Sequence, residues 1–462
     1  MNRSVSDAIV FFGATGDLAY KQIFPALQGL VRDEGLDLPI IGVAKAGWTL
    51  DQLKARAKES LLSHGEVESK ALAKLTSLLR YVDGDYNDPS TYMQLRHELG
   101  EARRPLHYLA IPPSLFATVA EGLAKQSAGM EPRLVIEKPF GRNRESARQL
   151  DRILNRFFPE ENIFRIDHYL GKEPVQNILY TRFANSMFEP VWNRNHIDSI
   201  QITMAESFGV QDRGKFYDET GAIRDVFQNH MLQVLASLTM DPPTGEESDA
   251  VRDQKAALLK AVRPLDPAHV VRGQYAGYQS VPGIRSGSTI ETYVAAKLFI
   301  DSWRWADVPI YIRAGKALPV TAVEVMVYFK RPPREAFEEN VFKGSGYMRM
   351  KISPDVNIAL GLRVKRPGES MRGEDVELVL TEQETAFKPP YQRLLSDAIH
   401  GSGDLFGRND IVDAQWRIVE PVLDHPTPPI IYERGSWGPD EATRLIGADG
   451  PWHSPLPLAP RF

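Results

Sequence analysis

The sequence contains no cysteine. This absence excludes disulfide bonds, thiolate nucleophiles, zinc sites with cysteine ligands and iron–sulfur clusters. An excess of positive charge is also missing, because 55 Lys and Arg residues stand against 60 Asp and Glu residues, for a formal net charge of −5. A protein that binds nucleic acid needs a basic face. We therefore expect chemistry without sulfur and no nucleic-acid partner.

Long hydrophobic runs are absent as well. No stretch reaches the roughly 18 apolar residues that a membrane-spanning helix requires. The first apolar run ends at Gly13 and Gly16 instead of continuing into a signal peptide with its small-residue cleavage site. We expect no membrane partner and a cytoplasmic location. The length of 462 residues, with 43% hydrophobic and 25% charged residues, is typical of a globular protein of two or three domains.

In the first 160 or so residues, short apolar runs alternate with helical patterns. Strands that alternate with helices predict an α/β fold, a parallel sheet with helices on both faces. The predicted strands are Ala8–Phe12, Pro39–Ala44, Leu106–Ala110 and Arg133–Ile136, and the predicted helices are Leu18–Arg32, Leu50–Ser63, Lys70–Leu79, Ala117–Lys125 and Glu145–Arg156.

The pattern changes near residue 167, so we expect one domain over residues 1–167 and a second over residues 168–462. After the segment Ile163–His168, a helix is predicted to begin near Pro174, where proline suits a first turn. A long helix is predicted over Ala222–Leu238. Strands that follow one another with few helices between them predict a mostly antiparallel sheet. These strands are Ser199–Met204, Thr292–Ile300, Pro309–Arg313, Glu324–Lys330, Met348–Ile352 and Val356–Leu362.

The turn between the first strand and the first helix is rich in small residues. It reads Gly13-Ala14-Thr15-Gly16-Asp17-Leu18-Ala19. Glycine permits a tight turn and lets the backbone approach a pyrophosphate at the helix N-terminus. The spacing G-x-x-G-x-x-A differs from G-x-G-x-x-G, so a plain strand–helix turn is the alternative to a dinucleotide site.

The end of the second strand bears on which dinucleotide binds. A carboxylate at this place accepts a hydrogen bond from a ribose 2′-hydroxyl, whereas a cation suits a 2′-phosphate. The strand ends in Ala44-Lys45 without a carboxylate. Lys45 therefore favours NADP over NAD, and its alternative role is a solvated surface lysine.

Three further segments carry candidate polar groups. Lys138 and Pro139 follow the strand that ends near residue 136, where a lysine can reach the ligand crevice of a parallel sheet, and an X–Pro bond there can be cis. The stretch from Arg165 to Glu173 supplies three phosphate donors, and its alternative is a charged surface turn. His230, in the long predicted helix, is either a core residue or a general base oriented by a carboxylate. The three donors are His168, Tyr169 and Lys172.

Taken together, these segments resemble the glucose-6-phosphate dehydrogenase family. G-A-T-G-D-L-A, E-K-P-F-G, R-I-D-H-Y-L-G-K-E and I-R-D-V-F-Q-N-H occur in the family's order, with further matches at Trp303–Pro309, Gly315–Leu318 and Gly435–Pro439. The resemblance covers nearly the whole chain. It implies an N-terminal Rossmann-like domain and a C-terminal α+β domain with a large, mostly antiparallel sheet. It also implies a homodimer through that sheet, or a dimer of dimers.

The resemblance also implies a reaction, the oxidation of β-D-glucose 6-phosphate to its 6-phospho-lactone with NADP in the oxidative pentose phosphate pathway. His230 corresponds to the general base and Asp167 to the carboxylate that stabilises the imidazolium. No metal takes part in this chemistry. The residues that correspond to the sugar and phosphate site are Lys138, His168, Tyr169, Lys172, Glu206, Asp225 and Lys316.

The cofactor residues that the resemblance implies are Gly13, Ala14, Thr15, Gly16, Asp17, Leu18, Lys45 and Lys138, with Thr15 and Lys45 at the 2′-phosphate. Lys45 stands where the family commonly has arginine, and Gln22 replaces an expected lysine. An ammonium lacks the bidentate grip of a guanidinium. Four alternatives therefore remain open. They are relaxed use of NAD and NADP, a different 6-phosphorylated hexose, a sugar oxidoreductase of the glucose–fructose oxidoreductase type, and a catalytically silent nucleotide-binding regulator.

Overall fold

The computed structural model describes residues 5–64, 67–245, 247–334, 346–368, 371–382 and 388–456. In this part of the chain the strands β1 to β16 are, in order, Ala8–Phe12, Ile40–Ala44, Leu79–Asp83, Pro105–Leu109, Arg133–Glu137, Ile163–Ile166, Ile197–Ala205, Val270–Tyr275, Tyr293–Leu298, Ile310–Gly315, Ala322–Phe329, Tyr347–Ser353, Asn357–Lys365, Gly373–Glu382, Phe406–Gly407 and Ile430–Tyr432.

All but the last of the described α-helices lie between these strands in the chain. The α-helices α1 to α13 are Phe24–Glu34, Leu50–His64, Ser69–Leu78, Pro89–Leu99, Phe116–Gln126, Arg144–Leu154, Glu173–Ala184, Gly214–Ala222, Leu232–Thr239, Ser248–Ala261, Pro390–His400, Asn409–Asp424 and Asp440–Ile446, and π-helical segments span Ala19–Ile23 and Ile223–Met231. Among the described residues, no helix is both long enough and apolar enough to cross a membrane.

The chain forms two compact units. The first comprises the described parts of Met1–Lys172, Pro243–Asp253 and Phe387–Asp413, and the second comprises those of Glu173–Pro242, Gln254–Ala386 and Ala414–Phe462. The predicted domain boundary after residue 167 stays a prediction.

The first unit is built on a seven-stranded sheet in the order β15-β6-β5-β4-β1-β2-β3. Strands β1 to β6 run parallel, and the short β15 pairs antiparallel with β6. Side chains alternate across a strand, so Ile9 and Phe11 of β1 enter one hydrophobic core while Val10 and Phe12 enter another. The predicted α/β layer is confirmed.

Strand β3 and helix α4 were missing from the sequence-based prediction. Only Leu79 and Val82 of β3 are buried, because this strand forms an edge of the sheet. Its sequence therefore lacks the continuous apolar run of a central strand. The predicted helix over Lys70–Leu79 ends one residue earlier, at Leu78, and Leu79 begins the strand.

The second unit contains a nine-stranded sheet in the order β14-β13-β12-β11-β7-β10-β9-β8-β16. Most neighbouring strands are antiparallel, as predicted. Two pairs are parallel, β7 with β10 and β8 with β16. The parallel pair β7 and β10 brings the carboxyl ends of both strands to the same edge of the sheet, with Ala205 opposite Gly315.

The predicted long helix over Ala222–Leu238 has a more complex form. Its first part, Ile223–Met231, is π-helical, and its second part is α9, Leu232–Thr239. Gly221, the penultimate residue of α8, has φ +65° and interrupts the helical backbone just before this segment, and a Cβ at Gly221 would lie 2.5 Å from a Glu291 carboxylate oxygen. A glycine is therefore required at this break.

Candidate active site

The glycine turn of the first unit follows β1, at the point where the strand order reverses between β4 and β2. Gly13 has φ +79°, and a Cβ there would lie 2.2 Å from the Ala110 carbonyl oxygen. The Gly13 N–H donates to the Val43 carbonyl at 2.9 Å, which ties the turn to the end of β2. Ligands of parallel sheets bind at such reversal points, so the backbone of this turn fits a dinucleotide.

The remaining predicted cofactor residues of the turn lead directly into the first helix. Ala14 is fully buried, and Thr15 and Gly16 complete the turn before the helical residues Asp17 and Leu18. A helix N-terminus at this place presents backbone N–H groups to an anion. The small third position of the motif is Ala19, which is also fully buried.

Lys45 follows β2 and forms an ion pair that the sequence did not predict. Its Nζ lies 2.6 Å from Oδ2 of Asp85, which follows β3. The hydrogen bond from Lys45 lowers the pKa of Asp85 to about 2, and Asp85 in turn raises the pKa of Lys45. The sequence-based prediction did not include Asp85 because β3 itself was not predicted.

Tyr86, the residue after Asp85, links the same loop to the glycine turn. Its hydroxyl accepts a hydrogen bond from the Gly13 N–H at 3.0 Å and lies 3.2 Å from the Val43 carbonyl, to which it donates. Burial raises the pKa of Tyr86. The loop after β3 therefore contacts both the glycine turn and Lys45.

Lys138 and Asp167 follow the neighbouring parallel strands β5 and β6. Glu137 is opposite Ile166 in the register of this pair, so the two residues leave the same edge of the sheet. The Lys138–Pro139 peptide bond is cis. Asp167 is 5% exposed. The topology of the parallel sheet therefore brings these two predicted residues to its carboxyl edge.

Glu137 is a further carboxylate at this edge that sequence reasoning did not single out. It accepts hydrogen bonds from the hydroxyls of Tyr108 and Tyr391. Burial raises the pKa of Glu137 to about 7, against the opposing effect of the two tyrosines. Tyr391 lies more than 250 residues away in the chain, at the start of α11, so no local pattern could have revealed this contact.

The predicted phosphate donors share one compact turn after β6. The Asp167 carboxylate accepts the Tyr169 N–H at 3.0 Å, and the Asp167 carbonyl accepts the Leu170 N–H at 2.9 Å. The Lys172 ammonium lies 3.8 Å from the centroid of the Tyr169 ring, and the His168 ring lies 5.2 Å from it. His168 and Lys172 therefore both lie close to the Tyr169 ring, within one turn of the chain.

Glu206 and Lys316 of the second unit form an ion pair. They follow the parallel strands β7 and β10, and Lys316 Nζ lies 2.6 Å from Glu206 Oε2. The Glu206 N–H donates to the Gly315 carbonyl at 3.0 Å. The ammonium also lies 5.2 Å from the Tyr217 ring, and both Glu206 and Asp225 contribute to a raised pKa of Tyr217, after burial. Tyr217 was not among the predicted site residues.

Asp225 and His230 lie on the π-helical segment, a helix form that is frequent at functional sites. Asp225 is half-buried and His230 is 1% exposed. The segment begins at Ile223, whose N–H donates to Glu291 Oε1 at 3.0 Å. Glu291 is buried and paired with Arg272 at 2.6 Å. A carboxylate at a helix N-terminus is stabilising, so Glu291 holds the start of the helix that carries Asp225 and His230.

The first unit has the sheet order, glycine turn and helix N-terminus of a Rossmann-like dinucleotide-binding fold. Comparison with known families identifies the chain more closely. Residues 10–177 match the family described as glucose-6-phosphate dehydrogenase, NAD binding domain, and residues 179–453 match its C-terminal domain. The chain belongs to the glucose-6-phosphate dehydrogenase family.

Individual relatives match over almost their full length. The chain is 44% identical over 453 residues to glucose-6-phosphate 1-dehydrogenase 1 of Mycobacterium bovis, covering 97% of both chains. A crystal structure of glucose-6-phosphate 1-dehydrogenase from Mycobacterium avium aligns with TM-score 0.91 at 45% identity, covering 98% of this chain and 99% of that one. A glucose-6-phosphate dehydrogenase solved with its substrate glucose 6-phosphate aligns with TM-score 0.91 at 32% identity, covering 98% of this chain and 100% of that one.

Proposed function

We propose that this protein oxidises β-D-glucose 6-phosphate to 6-phospho-D-glucono-1,5-lactone and transfers the hydride to NADP, the first reaction of the oxidative pentose phosphate pathway. One observation carries the proposal. Both domains of the glucose-6-phosphate dehydrogenase family match, from residue 10 to residue 453. A protein that shared only the nucleotide-binding domain could have a different function. A match to both domains of the family favours the family's reaction.

His230 is the proposed general base. Its imidazole removes the proton from the sugar's C1 hydroxyl, and Asp167 stabilises the imidazolium without itself taking a proton. The cofactor supplies a hydride acceptor at C4 of its nicotinamide. The Glu291 carboxylate at Ile223 supports this role, because it fixes the helix on which His230 lies.

The proposed phosphate site is the turn after β6. Lys172 and His168 are cationic or hydrogen-bond donors that both lie beside the Tyr169 ring. Charge-assisted hydrogen bonds to a phosphate are stronger than neutral ones. We assign the sugar hydroxyls and the reacting centre to Lys138, Glu206, Asp225 and Lys316, and the Glu206–Lys316 ion pair holds two of these side chains in place.

The proposed cofactor is NADP, held by residues 13–18 and by Lys138, with its 2′-phosphate at Thr15 and Lys45. The Gly13 backbone and the helix N-terminus support a dinucleotide. The ammonium of Lys45 supports a 2′-phosphate, although Asp85 occupies part of its hydrogen-bonding capacity. NAD use is the alternative.

We further propose a homodimer, or a dimer of such dimers, through the sheet of the second unit. Strands β13 and β14, at one end of that sheet, carry apolar side chains that are 41–52% exposed: Leu362, Val364, Leu378, Val379 and Leu380. Exposed apolar patches mark interaction sites. Light scattering should give a dimer or tetramer mass that falls to the monomer mass in Leu378→Lys, whereas a monomeric unmodified protein would contradict this.

The products test the reaction. Glucose 6-phosphate incubated with NADP and the protein should yield NADPH and the 6-phospho-lactone, which is two hydrogens poorer than the substrate. Hydrolysis adds one water to the lactone, so mass spectrometry should detect 6-phosphogluconate, one oxygen heavier than glucose 6-phosphate. Tight binding of NADP without turnover of any hexose phosphate would instead support the silent regulator.

A further inference from the structure

We infer that Asp85 is a specificity-determining residue that competes with the 2′-phosphate of the nucleotide for the ammonium of Lys45. The inference rests on the proposed function, because it assigns the discrimination between NADP and NAD at the proposed cofactor site. Asp85 is not among the residues that the G-x-x-G motif or the end of β2 identifies.

The geometry of the pair is the first support. Lys45 and Asp85 follow the neighbouring parallel strands β2 and β3, where Ala44 is opposite Asp83. The Nζ–Oδ2 distance is 2.6 Å, a full charge-assisted hydrogen bond. An ammonium has three donors, so a bound carboxylate takes one of them and cancels its charge.

Asp85 is also held in position by its own loop. Its second oxygen, Oδ1, accepts the N–H of Asn87 and the side-chain amide of Asn87, both at 2.9 Å. Its carbonyl accepts the Thr91 hydroxyl at 2.7 Å. Because three hydrogen bonds fix Asp85 independently of Lys45, the carboxylate stays beside the end of β2 when Lys45 moves.

The same loop reaches the nucleotide turn directly. Tyr86 contacts both Gly13 and Val43, so Asp85 is one residue away from a group that braces the turn. Asp83 accepts the N–H groups of Ala46 and Gly47 at 3.0 and 2.8 Å, which fixes the backbone that follows Lys45. The carboxylate of Asp85 therefore belongs to the structure around the adenosine end of the turn.

Two opposite effects on the nucleotide follow from this arrangement. A 2′-phosphate gains the attraction of Lys45 but must displace Asp85 and meet its negative charge. A 2′-hydroxyl leaves the ion pair intact. The pair therefore reduces the preference for NADP over NAD below the value that Lys45 alone would produce.

The test compares two adenosine fragments that differ only in the 2′-phosphate, adenosine 2′,5′-bisphosphate and 5′-AMP, by isothermal titration calorimetry on the full chain. Asp85→Asn should tighten the bisphosphate about 3- to 10-fold, as expected for an exposed charge pair and a phosphate. Its 5′-AMP affinity should change less than about twofold. The ratio of kcat/KM for NADP over NAD should rise in parallel.

Lys45→Met provides the second arm, and it should weaken the bisphosphate selectively. In the Lys45→Met background the gain from Asp85→Asn should shrink to less than about half, since this background lacks the ammonium for which Asp85 and the 2′-phosphate compete. The matched control is Asp37→Asn, which removes a carboxylate paired with Lys74 at the opposite end of β2, and should leave both affinities unchanged.

Three results would overturn the inference: an Asp85→Asn variant that binds the bisphosphate like the unmodified protein, the same gain in the Lys45→Met background, or no effect of Lys45→Met on the bisphosphate. These binding measurements require neither sugar nor hydride transfer. If the protein does not oxidise glucose 6-phosphate, the binding measurements can still be interpreted. If the binding measurements contradict the role of Asp85, the proposed reaction is not affected.

Discussion

The Nη2 atom of Arg182 lies 2.8 Å from the carbonyl oxygen of Met240, just beyond the last residue of α9. Its Nη1 atom lies 2.9 Å from the Ser237 carbonyl. The indole N–H groups of Trp192 and Trp305 donate to the two carbonyls between these, at 2.7 and 2.6 Å. A helix leaves its last four carbonyls without intrahelical partners, and here three side chains satisfy all four.

This cap makes Arg182 a stability residue for the helix that continues from His230. Arg182→Leu should lower the free energy of unfolding by about 2–5 kcal/mol, because two buried carbonyls lose their donors. Urea unfolding measures the change. Arg194→Leu removes a half-exposed arginine paired with Asp307 and is the control, with a loss below about 1 kcal/mol. If Arg182→Leu lowers the free energy of unfolding no more than Arg194→Leu does, the stabilising role of the cap is contradicted.

His230→Asn tests the general base. The amide cannot take a proton, so kcat should fall about 10²- to 10⁴-fold with little change in KM. Steady-state rates of NADPH formation measure both constants. His269→Asn, at an exposed histidine of the second unit, should leave both constants unchanged. A His230→Asn variant with unchanged kcat would refute the assignment.

Lys172→Ala tests the phosphate site. Loss of a charge-assisted hydrogen bond should raise KM for glucose 6-phosphate roughly 10- to 100-fold, while KM for free glucose stays the same. Lys125→Ala, which removes an exposed lysine paired with Glu121, is the control. Equal effects on the phosphorylated and free sugars would remove Lys172 from the phosphate site.

Gly13→Ala tests the nucleotide turn. Its Cβ would meet the Ala110 carbonyl at 2.2 Å, so the turn must move and the Kd for NADP should rise about tenfold or more. Gly35→Ala shares the positive φ, at +66°, but its Cβ meets no heavy atom within 4 Å in the described part of the chain. Gly35→Ala should lower the stability of the protein without raising its Kd for NADP. Similar Kd values for both variants would contradict this role of Gly13.

The raised pKa of Glu137 predicts that the stability of the protein depends on pH. Its pKa rises from 4.5 to about 7 in the folded protein, mainly because of burial. The folded state therefore binds the proton more tightly, and this contribution to stability is full below pH 4.5 and is lost as the pH rises through 7. Glu137→Gln keeps a neutral side chain and should flatten the fall between pH 4.5 and 7 in urea unfolding. An unchanged slope would contradict the raised pKa.

The candidate site was predictable where its residues lie in short continuous motifs. Gly13 and Gly16 belong to one turn, and Asp167 to Lys172 to another, so their spacing was visible in the sequence. The strand β1 was predicted with its observed bounds, Ala8–Phe12, because it is buried on both faces.

The missed residues reach the site from distant parts of the chain. Asp85 follows an edge strand without an apolar run, Glu291 contacts Ile223 across 68 residues, and Tyr391 contacts Glu137 from a helix near the C-terminus. Such contacts depend on which strands and helices become neighbours. Propensity and periodicity describe single elements and carry no record of that pairing.

The most direct test of the central claim is a panel of initial rates with glucose 6-phosphate, free glucose and other hexose phosphates, each with NADP and with NAD. The account predicts that glucose 6-phosphate with NADP has the highest kcat/KM, and that NAD supports a measurable lower rate. A higher kcat/KM for another hexose phosphate, or no turnover with glucose 6-phosphate, would contradict it.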